Sequence, residues 1–401
     1  MALPGVEIIV ENGALGRAAT TSDGVAALIV VGMSKTDLPL YTPKQIFSLT
    51  EAEALGLTQA ADVTDKVDTW LQIKEFYDEA GNGAELWIMT VPLTRTMTEL
   101  LDPTVTINSA RKLLDYAQGR IRLLGISRFV ESTLTYAQVT QGGIDEDVHT
   151  ALPKGNALAL EYRNEFKPFS ILIDGRGWNG VVADLTDLRT YNFPKCSVVL
   201  STSQPSKTAA SVGLVLGRAA KLPVQRNIGR VKDGTLNVSK LYYTNGGNIE
   251  DFSGAQIEAI HDKGYITPRT YVGRTGYFLA DDPTATLATD DYLTIANNRV
   301  IDKALVIAYS TYVNEINDEI LIDETGKLEL TQVAYLEQIL RNALNINMVS
   351  QSEVSAVEVY IDPAQNVLST DRLDVVLRIT PVGYLKSIVV SLGFRNPGVG
   401  A

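Results

Sequence analysis

The chain has 401 residues, 45% of them hydrophobic and 20% charged, with a formal net charge of −12. This length suits two or three domains with cores of their own. A single cysteine, Cys196, excludes an intramolecular disulfide, and the acidic balance argues against a general nucleic-acid coat.

The opening residues carry no basic segment followed by an apolar core, and no apolar run approaches ~18 residues, so neither a secretory signal nor a membrane span is expected. Residues 1–20 read instead as an extended arm. Val6, Ile8 and Val10 share one face at period two, and Gly13 and Gly16 loosen the connection that follows.

Five short, nearly continuous apolar runs come next, at 26–32, 85–91, 121–126, 169–174 and 196–201. Such runs predict strands covered on both faces, as in parallel sheets. Helical periodicity between them, at 67–79 and 108–118, predicts an α/β domain over 21–225. The second half differs. Two apolar stripes predict a long buried helix from Asp290-Asp291 to about 316, and Thr331 is placed to cap another. Strands follow at 354–361 and 373–379. A last alternating segment carries Ile388, Val390, Leu392 and Phe394 on one face. The predicted fold class is mixed α/β and α+β: the covered-sheet domain, a C-terminal α+β domain over 226–378, and a closing strand and arm over 379–401.

The motifs of enzyme chemistry are sparse. Gly175-Arg176-Gly177-Trp178-Asn179-Gly180 follows a strand, as a dinucleotide fingerprint requires. However, the next strand ends without Asp or Glu, and Trp178 and Asn179 put bulk where a pyrophosphate would lie. His149 sits beside Asp145, Glu146 and Asp147 in what reads as a solvated acidic loop, and His261 has no ligand at metal spacing. Cys196 opens an apolar run and reads as a core residue. Asp281-Asp282 and Asp290-Asp291 read as turn and helix caps. No catalytic, cofactor or metal site is expected.

Charge is unevenly spread. Residues 188–232 hold eight basic and no acidic residues, among them Arg218, Lys221, Arg226 and Arg230. After Asp374 only Arg378, Lys386 and Arg395 carry charge. Basic stretches on an acidic chain suggest contact with an acidic partner or with acidic faces of further copies. An alternating terminal arm cannot bury its apolar face alone and must join a sheet edge, its own or a neighbour's.

Several stretches together resemble the contractile tail sheath family. They are Leu3-Pro4-Gly5-Val6-Glu7-Ile8-Ile9 leading to Asp23-Gly24-Val25-Ala26-Ala27-Leu28; the small-residue helix from Ser211 to Val224; the segment from Gly264 to Phe278; the long helix with Asn298-Arg299-Val300-Ile301-Asp302; and the closing strands from Leu373 to Phe394. The resemblance spans nearly the whole chain, which at 401 residues leaves little room for large outer insertions. It implies a structural subunit, not an enzyme and without a cofactor, that polymerises helically around an inner tube and contracts to drive the tube through a target envelope. Arm residues Val6, Ile8, Val10, Ile388, Val390, Leu392 and Phe394 would join neighbouring copies. Arg218, Lys221, Arg226, Arg230, Lys386 and Arg395 would face the tube or a neighbour. The implied partners are further copies, the tube protein, and baseplate and terminator proteins, with neither nucleic acid contacted directly nor a membrane entered. The implied setting is a phage tail or another contractile particle made in a bacterial cytoplasm. Two other readings stay open: a soluble α/β enzyme with a nucleotide at the Gly175–Gly180 turn, and another self-assembling virion shell protein.

Overall fold

The computed structural model describes residues 22–129, 140–205, 208–324 and 326–394. Apolar runs become strands where their side chains can be covered on both sides, and the first half is built this way. Strands β1 (Ala26–Val31), β2 (Lys44–Ile46), β3 (Leu86–Val91), β4 (Leu123–Ser127), β5 (Ser170–Asp174) and β6 (Cys196–Val199) form one sheet in the order β2-β3-β1-β4-β5-β6. All neighbours are parallel except β2, which runs antiparallel along the edge at β3. Every residue of β1, β3, β4, β5 and β6 is buried.

Helices cover both faces. On one lie α1 (Thr69–Ala80) and α4 (Val212–Lys221); near the other are α2 (Ala110–Tyr116) and α3 (Glu146–Asn164). The small residues of α4 have a geometric reason. A Cβ on Gly213 would stand 1.9 Å from the Gln72 carbonyl oxygen, and one on Gly217 would stand 2.4 Å from that of Phe76. Only glycine lets α1 and α4 approach backbone to backbone. Gly125 of β4 faces Val212 and Leu216 of α4. Ile171 of β5, on the opposite face at period two, meets Gly155 of α3.

The first core extends further along the chain than expected. Ile228, Leu241, Tyr243, Ile260, Tyr265, Leu279 and Ala285 all belong to it, so the expected boundary at 225 falls inside this unit. Residues 226–285 were hard to place because their strands are only two residues long and carry no periodicity.

The second unit begins with α5 (Ile295–Tyr312), α6 (Leu330–Leu344) and the antiparallel pair β7 (Val354–Ile361) and β8 (Val375–Pro381). Val300, Ala304, Leu340, Leu344, Val354 and Val359 form its core. The cap of α5 is Thr294, whose hydroxyl accepts from the Asn297 N–H at 3.1 Å. The expected start at Asp290-Asp291 is a turn instead, with the Asp290 carboxylate accepting from Thr286 Oγ1 and the Tyr292 N–H. Helix α6 begins at Leu330, so Thr331 lies inside it and does not cap it.

The buried face of α5 is charged where it crosses to the first unit. Arg299 donates to the carbonyls of Asp23, Ala219 and Leu222, and Asp302 pairs with Lys195 at 2.7 Å.

Candidate assembly interface

Strands β7 and β8 turn one face inward. Val357, Val359 and Ile361 of β7, with Val375, Leu377 and Ile379 of β8, pack against α5, α6 and neighbouring residues. The outer face carries Glu358, Tyr360, Val376 and Arg378, all exposed, with Arg378 and Glu358 3.8 Å apart. Among the described residues the sheet has these two strands alone, so each keeps one edge without a strand partner, though on β7 the Val359 carbonyl accepts from Arg341 and the Ile361 N–H donates to Glu337. Such edges are templates for another strand.

The chain after β8 is what such an edge could take. Val382 and Tyr384 are half-buried; from Leu385 to Phe394 every residue is exposed, and none is in a strand. Ile388 is 74% exposed, Leu392 93% and Phe394 109%. The expected strand does not form, and no edge among the described residues pairs with this segment. Val6, Ile8, Val10 and Arg395 lie outside the described residues.

Half of the basic stretch, Lys195, Arg218, Arg226 and Arg230, is neutralised inside the subunit. Arg218, expected at an outer contact, is 2% exposed. Its guanidinium pairs with Glu79 at 2.8 Å and donates to the carbonyls of Asp233, Gly234 and Thr235. It is therefore a buried structural cation. Lys195 is likewise buried against Asp302. Arg226 and Arg230 share Asp233, at 3.4 and 2.7 Å, while Lys221 is exposed at the end of α4. Lys386 reaches Asp281 at 2.5 Å.

The Gly175–Gly180 turn is filled by the protein itself. A Cβ on Gly175 would lie 2.5 Å from the Val199 carbonyl oxygen. Trp178 is buried against Tyr243 and Phe252, and Thr244 Oγ1 donates to the Gly175 carbonyl at 2.8 Å. Arg176 pairs with Asp145 at 2.9 Å. The acidic run near His149 is not a solvated loop. Asp145 caps α3, His149 lies within that helix, and Asp147 is buried beside Arg128 while accepting from the Met97 and Thr98 N–H groups. In open α/β sheets ligands enter outside the carboxyl ends of the strands. Here that position holds Asp174 at the end of β5, which accepts from the backbone N–H groups of Arg128 and Ala210. Its pKa is pushed up to about 7 by burial, opposed by Arg176. Burial pushes the Cys196 thiol up, out of the nucleophilic range. Among the described residues no cluster of His, Cys, Asp and Glu could hold a metal ion, and no helix is long and apolar enough to cross a membrane.

This two-unit architecture is the fold of contractile sheath proteins of known structure. The contracted helical sheath of the anti-feeding prophage matches with a TM-score of 0.62 at 14% identity, covering 98% of this chain and 99% of that one. The contracted sheath of an extracellular contractile injection system (the PVC sheath complex) matches at 0.60 and 11%, covering 98% of each. A sheath tail protein from Listeria innocua matches at 0.53 and 11%, covering 92% and 94%. No curated protein sequence is significantly similar. Residues 3–283 match the DUF2586 N-terminal domain and residues 291–399 the DUF2586 C-terminal domain, and the chain belongs to this family. The two matched segments separate near the junction of the two cores, not at 225.

Proposed function

We propose that this chain is the structural subunit of a contractile sheath, polymerising helically around an inner tube and shortening to drive that tube through a target envelope. The observation that carries the reading is the exposed apolar tail at 387–394, following a two-stranded sheet whose outer edges have no strand partner among the described residues. A tail on one copy and an edge on the next make a head-to-tail contact, and such contacts generate open helical assemblies. The first unit serves as a rigid body, its buried charges paired and the mouth of its sheet filled by its own side chains. Residues 1–20, with Val6, Ile8 and Val10, form the second linking arm. The partners are further copies, a tube protein, and baseplate and terminator proteins, within a phage tail or related particle made in a bacterial cytoplasm. Lys221 and Arg230 remain the candidate contacts to an acidic tube or neighbour, and Arg395 joins them from beyond the described residues.

Negative-stain electron microscopy of the full chain, of a copy ending at Lys386 and of a copy lacking residues 1–18 tests this. Tubes or stacked rings from the full chain, lost in both truncations, are expected. If the full chain stays monomeric even with a tube template, or if both truncated copies still form tubes, the reading fails.

A further inference from the structure

The two ends of the described chain are anchored differently. At the amino end, Asp23 is held by two cations of α5. Arg299 donates to its carbonyl, and Lys303, itself shared with Glu353, reaches its carboxylate at 2.8 Å. Gly24 lies so close to the Ala220 carbonyl that a Cβ there would stand 2.4 Å from its oxygen. This root is built into the seam between the two units.

The root of the C-terminal tail is held only from the side. Tyr384 donates its hydroxyl to the Gln225 carbonyl, and Lys386 pairs with Asp281. Both acceptors belong to the first unit, not to the sheet the tail has just left. Val382 and Tyr384 are half-buried, and from Leu385 onward every described residue is exposed, Lys386 included.

We infer that Tyr384 and Lys386 form a releasable latch, which holds the root of the C-terminal arm to the first unit and adds five residues to the free arm when it opens. The inference rests on the sheath reading for its use, but not for its existence.

Two features make the latch able to open. The Lys386 side chain is already 48% exposed, so its ammonium can return to water when it leaves the buried Asp281. Asp281 is also not abandoned when Lys386 leaves. Burial alone would raise its pKa, yet hydrogen bonds from His261, Lys386 and Asn227 hold it well below the usual carboxylate range. His261 Nε2 lies 3.4 Å from its carboxylate, and the Asn227 side chain donates to both Asp281 and Asp282. These partners remain, so the Asp281 carboxylate keeps hydrogen bonds when Lys386 leaves. Asp282 meanwhile fixes the start of α5, its carboxylate accepting from the Ala296 N–H at 2.9 Å, so the latch base stays put.

The consequence is length. With the latch closed, the arm is free from Ser387; with it open, from Val382. Five residues of extended chain span about 16 Å. In a lattice whose subunits rotate and slide, that added length lets a strand stay paired with its neighbour while the body it comes from moves. The amino-terminal root, built into the seam, has no such provision.

Hydrogen exchange on the full-length, unassembled chain tests the latch directly. In the wild type, amides of 382–387 should exchange about tenfold more slowly than those of 388–394. In the double variant Tyr384→Phe, Lys386→Ala they should match 388–394, with the sheet of the first unit unchanged. Equal rates across 382–394 in the wild type, or protection that survives the double variant, would overturn the latch while leaving the sheath reading intact. A second readout concerns assembly. The closed latch preorganises the arm, so the double variant should need a several-fold higher concentration to form the tubes that the wild type forms. An unchanged threshold would also overturn it. Tubes absent from the wild type itself, with the exchange pattern as expected, would instead count against the sheath reading and leave the latch standing.

Discussion

The six-stranded sheet and the two-stranded sheet answer the same problem in opposite ways. The first leaves nothing to be completed. Its parallel strands are covered on both faces, and Arg218, Lys195 and Arg128 find carboxylates within the subunit. Among the described residues the second has one face packed, two edges without a strand partner and an exposed apolar tail. A chain that needed only to be stable would have no reason to keep Leu392 and Phe394 in water. The difference separates residues that hold the subunit together from residues reserved for contacts between subunits, and variants can test where the line falls.

The largest effect belongs to the buried charges. Glu79→Ala leaves Arg218 without its carboxylate in a buried setting, which costs about 3–5 kcal/mol. Denaturant unfolding should record that loss, and any defect in assembly should follow from the loss of folded subunit. A cost under 1 kcal/mol would mean that Arg218 reaches water, which would restore it as a candidate surface contact.

Paired truncations draw the comparison most sharply. Leu28 of β1 is fully buried, and Leu28→Ala should destabilise by about 2–5 kcal/mol. Phe394→Ala removes a larger side chain from a fully exposed position and should change subunit stability by less than about 0.5 kcal/mol. Its effect should appear in assembly instead, as fewer or no tubes at a concentration where the wild type forms them. If Phe394→Ala lowers the melting temperature as Leu28→Ala does, the tail packs on its own subunit and the division fails.

Acidity offers a softer probe of the closed unit. Burial raises Glu75 to about 7, against the hydrogen bonds it accepts from Ser203 and Ser211. An unfolded Glu releases its proton near 4.5, while the folded one keeps it up to about 7. Between those values the folded state binds more protons, so stability falls as pH rises. Asp174, also raised to about 7, adds a slope of the same sign between about 4 and 7. Denaturation at pH 5 and pH 8 should therefore find the subunit more stable at the lower pH, and Glu75→Gln should flatten that difference. A variant with the full wild-type slope would place the titration elsewhere.

How much of this was legible beforehand follows from the range of the forces involved. The parallel strands were readable because a strand buried on both faces shows as an unbroken apolar run, and the observed strands overlap those runs closely. The tail's alternation was readable too; its lack of a partner was not, since pairing depends on an edge elsewhere in space. The basic stretch misled because its neutralising carboxylates lie far along the chain, Asp302 at 107 residues from Lys195 and Glu79 at 139 from Arg218. The domain boundary misled because residues 226–285 join the first core through short strands and one short helix, too brief to show a period. The cap of α5 misled because Asp290 and Thr294 both suit a helix start, and only the hydrogen bond from Asn297 decides between them.

The smallest effect is expected on the outer face of the two-stranded sheet. Arg378 and Glu358 stand opposite each other at 3.8 Å with side chains 73% and 66% exposed, so their attraction is screened and Glu358→Ala should cost the subunit less than about 0.5 kcal/mol. This near-silence is informative because the inner face of the same strands carries Val359 and Ile361, whose truncation should cost several times more. A sheet whose inner face matters to folding and whose outer face does not is a platform, anchored on one side and open at its edges. If Glu358→Ala instead destabilises by more than about 1 kcal/mol, the outer face is part of the fold's own energetics. The sheet would then offer only its edges, and not its outer face, to a neighbour.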